Sequence, residues 1–276
     1  MVNRSKAQGA RSLSKDQGAN LKARSLGEAQ ETDLEARSLS SVQEAPQKAR
    51  SLNFPVYAVI PLVVIIAAHY LTYDLGAWIG SYFPGSSLEL HIDTIFPFVP
   101  AWILIYIAAY PFCLLNDILA SYADRKRFFG FCTAYLLIHI IAMVLFAVFP
   151  VFVDRPDVSQ SGILYDLVRA MYESDLSGNC FPSLHCGLAV LAFLGIYKVK
   201  KISKAYQWFS LVFAILICFS TLFTKEHFLA DALAGVALAI FLYYGSLRFK
   251  WYVPVEHAFN WINQRIWGNV IQNENS

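Results

Sequence analysis

From Asn53 onward the chain alternates long apolar runs with short polar breaks, and no other feature restricts its fold as strongly. The runs lie near 54–73, 97–119, 128–152, 183–199, 206–223 and 228–247. They reach or approach the roughly 20 residues that carry a helix across a bilayer. A backbone in hydrocarbon must satisfy its own polar groups, which leaves the helix as the form for such runs. The pattern predicts an all-α polytopic membrane protein, a bundle of six transmembrane helices. The fourth run is short, and the last two are nearly continuous. Residues 74–96 contain Gly76, Gly80, Pro84 and Gly85 and read as an interfacial loop with a short helix.

Composition agrees. Of the 276 residues, 57% are apolar or aromatic and 15% are charged, against about a quarter charged in soluble domains. Mean hydropathy is +0.45. A disordered chain, a disulfide mini-scaffold and an ordinary soluble enzyme are excluded as classes. With a net charge of +2 and no dense basic face outside the N-terminal tail, nucleic acid is not an expected partner; membrane lipids are. The cysteines Cys113, Cys132, Cys180, Cys186 and Cys218 form no CxxC pair, which points to neither a zinc site nor a disulfide framework. A Cys180–Cys186 bridge would have to span Pro182.

Residues 1–52 form a separate, polar segment. Ala-Arg-Ser-Leu recurs at 10–13, 23–26, 36–39 and 49–52. The linking residues offer too little apolar surface to offset ordering, so the segment is expected to be a disordered cytosolic tail. A transient amphipathic helix at the membrane surface is the alternative reading. Residues 53–250 are expected to form the catalytic membrane domain, and 251–276, rich in aromatics, an interfacial or cytosolic end.

Charge orients the bundle. Arg125, Lys126 and Arg127 fill one break, Lys198, Lys200, Lys201 and Lys204 another, and Arg248 and Lys250 follow the last run. The positive-inside rule places these breaks and both termini in the cytoplasm. The opposite breaks hold only Arg155, Arg169 and Lys225.

Three polar segments then fall on that opposite, extracytoplasmic face: Asp154-Arg155-Pro156, Cys180 to His185, and Thr224 to Asp231. His227 and Asp231, four apart, share a helix face. A carboxylate that fixes one imidazole nitrogen leaves the other free as nucleophile or base. Taken alone, the pair favours the plainer reading, a helix cap with a hydrogen-bonded histidine. Pro182-Ser183 suits a helix start, whose free N–H groups and serine hydroxyl favour an anion. His185 sits just inside, placed to protonate a leaving oxygen. Arg155 and Lys225 supply cations for a phosphate. Arg169, in a loop rich in acids, is expected to form a salt bridge. Two imidazoles, one carboxylate, an anion-favouring helix start and two cations fit phosphoryl transfer through a phosphohistidine, with no metal and no cofactor.

These residues resemble the type 2 phosphatidic acid phosphatase superfamily. Its motifs are Lys-x6-Arg-Pro, Pro-Ser-x-His and Ser-Arg-x5-His-x3-Asp. Arg155-Pro156 matches the end of the first, Pro182-Ser183-Leu184-His185 the second, and His227-x3-Asp231 the third. The resemblance covers roughly 90–250. It implies that His227 attacks phosphorus, Asp231 orients it, His185 protonates the leaving group, and Ser183 and Arg155 hold phosphate oxygens. The first-motif lysine falls at Val148 and the third-motif Ser-Arg at Ser220-Thr221, so two cations are missing; Lys225 is placed to supply part of the lost charge. Phe96-Pro97-Phe98-Val99-Pro100, Asn179-Cys180-Phe181 and Thr224-Lys225-x-His look like the branch that includes inositol phosphorylceramide synthases.

The expected activity is hydrolysis of a lipid phosphate monoester or pyrophosphate. Transfer of a phospho-headgroup to a lipid alcohol is the alternative. A transporter that relays protons through His69 and His139, which lie inside apolar runs, is a third reading.

Overall fold

The computed structural model describes residues 54–174 and 178–274, with side chains to residue 268. The repeat segment 1–52 lies outside the described residues. Among the described residues eight helices follow in order: α1 Val59–Gly80, α2 Ile103–Ala120, α3 Arg125–Val148, α4 Ile163–Ser174, α5 Leu184–Ile196, α6 Lys204–Phe223, α7 Leu229–Arg248 and α8 Tyr252–Glu274. Short 3-10 turns occupy Val56–Ala58, His91–Ile95 and Pro100–Trp102. Among the described residues there is no strand.

Among the described residues, five helical segments are long and apolar enough to cross a membrane: Val56–Gly80, Pro100–Ala120, Arg125–Val148, Lys204–Phe223 and Leu229–Arg248. The fourth expected span is shorter than predicted. α5 has 13 residues, about 20 Å at the helical rise, against a hydrocarbon core of about 30 Å. Its surroundings explain the difference. α5 packs against α2, α3, α6 and α7, and most of its residues are buried in protein. A helix shielded by others need not match the lipid thickness. It stops where Arg127 donates to the Tyr197 carbonyl and Lys198 turns to a positive φ.

Other boundaries also moved. α1 continues seven residues past its expected end at 73, through Gly76 and Gly80. Those glycines are contact points, not loop markers. A Cβ on Gly80 would stand 2.2 Å from the Phe146 carbonyl oxygen of α3, so glycine lets the two backbones touch. α3 ends at Val148, ahead of Pro150. The break 153–182 contains α4, which the hydropathy pattern did not reveal. α4 is amphipathic and buries Val168 and Met171 against Ile103 and Tyr106 of α2. Arg169 on α4 pairs with Asp166, as expected, and also bonds the Val158 and Gln160 carbonyls. The aromatic C-terminal stretch is the helix α8, which packs on α3 and the turn at Val56–Ala58.

Polar caps start the helices. Asp124 accepts from the Arg127 N–H at 3.0 Å, Ser183 from Cys186 at 3.3 Å and Ser203 from Tyr206 at 3.2 Å; such caps contribute about 1 kcal/mol each. Phe128, Phe129, Phe131, Ile138 and Phe146 of α3 form the centre of the main core, with Leu62 and Ile65 of α1 and Leu191 of α5. His69 and His139 meet in this region, Nδ1 to Nε2 at 3.0 Å, and His139 Nδ1 lies 2.7 Å from the Tyr135 carbonyl. They bind α1 to α3. Among the described residues the five cysteines are all free thiols.

Candidate active site

The site is assembled where α5 and α7 begin and α3 and α6 end. Isolated bridges from Ser86 to Val151 and from Val151 to Asn179 tie the three loops together there. This fastens the segment carrying Arg155 beside the one leading to Ser183 and His185.

α6 closes with Thr224 as its C-cap and Lys225 at φ 55°. The Lys225 N–H bonds the Leu222 carbonyl at 3.3 Å and the Glu226 N–H the Thr221 carbonyl at 3.0 Å, the double closure of a Schellman turn. Glycine is usual at the left-handed position; here lysine holds it. The turn delivers Glu226 and His227 to the site, with the His227 N–H also on the Thr221 carbonyl at 3.2 Å.

α7 starts one residue after His227's neighbour Phe228. Asp231 Oδ2 accepts from the Phe228 N–H at 2.9 Å, and Asp93 Oδ1 from the Leu229 N–H at 2.7 Å. Two carboxylates therefore cap one helix start, favoured by the helix dipole. Asp231 is fully buried, and its Oδ2 lies 3.7 Å from His227 Nδ1. That is ion-pair range, too long for a hydrogen bond. Burial works against a charge on His227, but Asp231, with Cys186 and Glu226 behind it, outweighs burial and holds the imidazole above its ordinary pKa.

α5 and α7 are locked at their starts. The Ser183 N–H donates to the Asp231 carbonyl at 3.0 Å. A Cβ on Gly235 would stand 2.1 Å from the Ser183 carbonyl oxygen. Glycine at 235 is what allows the Pro-Ser-x-His segment to lie against the His-x3-Asp helix. His185, in the first turn of α5, stacks on Tyr106 at 4.3 Å between centroids, with the Tyr106 hydroxyl 3.4 Å from Nδ1.

The rings of His185 and His227 stand 6.3 Å apart. Both line one cavity of about 10 Å³ with Tyr73, Arg155, Asn179, Cys180, Leu184 and Glu226. That is the room of a single water. Arg155 Nη2 donates to Glu226 Oε2 at 2.8 Å and Nη1 to the Tyr172 carbonyl at 2.7 Å, with the guanidinium 4.8 Å over the Tyr172 ring. The Glu226 side chain is 1% exposed. Breaking such a buried pair from one side costs about 3–5 kcal/mol. Tyr172 donates its own hydroxyl to the Thr224 carbonyl at 2.6 Å; burial, and Glu226 next, push its pKa up despite Arg155.

A second cavity, of about 260 Å³, also has His227 in its lining. Glu89, Asp93, Asp154, Phe96, Phe98 and Lys225 are among the residues lining it. Lys225 Nζ reaches the Asp93 carbonyl at 3.3 Å.

The structure thus brings three sequence-derived candidates, His185, His227 and Arg155, to one cavity, and buries two more, Asp231 next to His227 and Ser183 at the start of α5, outside its lining. It places Lys225 on the neighbouring cavity. Val148, at the position of the first-motif lysine, is 65% exposed at the end of α3, and Thr221 is buried beside Cys186. Sequence reasoning missed Glu226, Asp93, Tyr106 and Tyr172. Glu226 had a signal, an acid between two candidate residues. The others are joined to the site only by the fold.

With this geometry in place, the comparison with protein families is decisive. The family model described as the PAP2 superfamily matches residues 98–245, more than half of the chain. The chain belongs to the PAP2 superfamily. The matched stretch holds all six sequence-derived site candidates. Comparison with curated proteins and with solved structures gives no match. Membership in the PAP2 superfamily carries a phosphatase-type lipid phosphoesterase lineage. Among the described residues no group of three or more His, Cys, Asp or Glu is placed to hold a metal.

Proposed function

We propose that this chain is an integral membrane phosphoesterase that breaks a P–O bond of a lipid phosphate through a phosphohistidine at His227. The observation that carries the reading is the pair of imidazoles 6.3 Å apart on one cavity with Arg155. Asp231 faces Nδ1 of His227, which leaves Nε2 to attack. As the P–N bond forms and the P–O bond breaks, His185 gives its proton to the departing lipid oxygen. Arg155 and the Ser183 hydroxyl offset charge on the phosphoryl oxygens. In the second half, His185 takes a proton from water as its oxygen attacks phosphorus; the P–N bond breaks, and phosphate leaves with His227 regenerated. The bundle is six-spanned in this reading, with both termini cytoplasmic. The site faces the extracytoplasmic side, because the lysine-rich helix ends lie opposite it.

The cavity of about 260 Å³ that shares His227 favours a second reading. An alcohol seated there attacks the phosphohistidine in place of water, as in the branch of inositol phosphorylceramide synthases.

The purified chain, reconstituted in vesicles, is given a panel of lipid phosphates, pyrophosphates and phospholipids, with and without diacylglycerol or ceramide. Phosphate released without acceptor supports hydrolysis. Product formed only with acceptor replaces it by transfer. No turnover of any substrate sinks both. The route assigns all charge compensation to protein groups, so turnover is expected to persist in excess chelator. Loss of activity on chelation that added metal restores would direct the chemistry elsewhere.

A further inference from the structure

Arg155, the one guanidinium among the described residues at the two-histidine cavity, is already held by Glu226. The cavity around them has room for about one water. A phosphoryl group bound here shares Arg155 with that carboxylate. Glu226 then remains buried within reach of the phosphate oxygens, with Asp231 buried behind His227.

Among the described residues, the charged and titratable groups at the cavity include Tyr73 of α1 and Cys180, just before α5. Arg155 comes from the loop after α3, His185 from α5, Glu226 and His227 from the turn after α6, and Asp231 from α7. Tyr172 comes from α4, and Cys186 lies under the site on α5. Lys225 points its ammonium to the Asp93 carbonyl on the neighbouring cavity. The two positions where further cations are expected hold Val148 and Thr221. Among the described residues, one guanidinium therefore stands against two buried carboxylates. A phosphoryl dianion meets about twice the net repulsion that a monoanion meets at the same place.

We propose that Glu226 is a specificity-determining residue, which restricts the site to a phosphoryl group bearing one negative charge. This rests on the phosphoesterase reading above and narrows its substrate class. Two sources have that chemistry: a phosphodiester lipid at any working pH, and a lipid phosphate monoester while singly protonated.

The test measures kcat/KM for a matched monoester and diester lipid in vesicles from pH 5 to 9. In the native protein the monoester-to-diester ratio falls as the monoester loses its second proton, near pH 6. Titration of His227 and the other enzyme groups acts on both substrates and cancels in the ratio. Glu226→Gln raises the ratio at pH 8 by about tenfold, the size of one charge contact. Glu226→Asp keeps the native ratio. A merely structural Glu226 lowers both substrates alike and leaves the ratio flat, which overturns the proposal. A native ratio that stays level or rises with pH overturns it without any variant, so a Gln variant that fails to fold does not matter. If the native protein turns over neither substrate, the phosphoesterase reading fails and this inference with it. Turnover without charge preference sinks the inference alone.

Discussion

His227 has to be neutral to attack phosphorus, yet its surroundings favour its charged form. Burial opposes the charge, Asp231 at 3.7 Å overcomes burial, and the pKa sits above 6.5. The sign follows: kcat/KM falls as pH drops through a value above 6.5, because protonation removes the nucleophile. Asp231→Asn keeps an oxygen to cap the Phe228 N–H but removes the charge. The acid limb is expected to move to lower pH while kcat falls about 10²–10⁴-fold, as for other carboxylates that orient a catalytic imidazole. An unmoved limb in a folded variant would detach Asp231 from His227. His227→Ala is expected to reduce turnover to background, and His185→Ala about 10²–10⁴-fold, each with normal membrane insertion. Near-native rates in either variant would refute the assigned roles. The residue types and spacing of the chemistry were visible beforehand, but the helix face expected to carry both His227 and Asp231 does not form: α7 begins at Leu229, and the turn after α6 presents His227 to the buried Asp231. Glu226 was not visible beforehand, because its role depends on Arg155, 71 positions away.

Among the elements, α5 and α7 set the geometry. Their starts touch because Gly235 meets the Ser183 carbonyl and Gly187 the Gly235 carbonyl. Gly235→Val is expected to push the helices apart, cost at least 1–3 kcal/mol of stability and abolish turnover. The matched control is Leu233→Val, on the same helix at a position 60% exposed, where little should change. Thermal unfolding and activity read together check this, and a native-like Gly235→Val would remove the close approach as a requirement. Five helical spans were legible from hydropathy because a bilayer imposes one long apolar run per crossing. The length of α5 was not, since its boundary depends on the helices around it. α4 escaped for a related reason: its apolar face covers α2 and breaks no run. Gly76 and Gly80 misled because glycine serves both turns and close helix contacts.

At the scale of the molecule, every described residue placed at the two cavities lies between Tyr73 and Asp231. Deletion of residues 1–50 is therefore expected to leave the specific activity of reconstituted protein unchanged; an inactive truncation would give the repeat segment a role in the reaction. The sequence by itself determined that the chain is helical and apolar enough for a membrane, and which residue types gather at one set of helix ends. Apolar run length and charge placement act locally, so they can be read without a fold. Only the tertiary structure decided which groups share a cavity: that Glu226 holds Arg155, that Tyr106 stacks on His185, and that Lys225 faces the neighbouring space. Those relations join residues tens of positions apart across packed helices, and no local pattern encodes such distances.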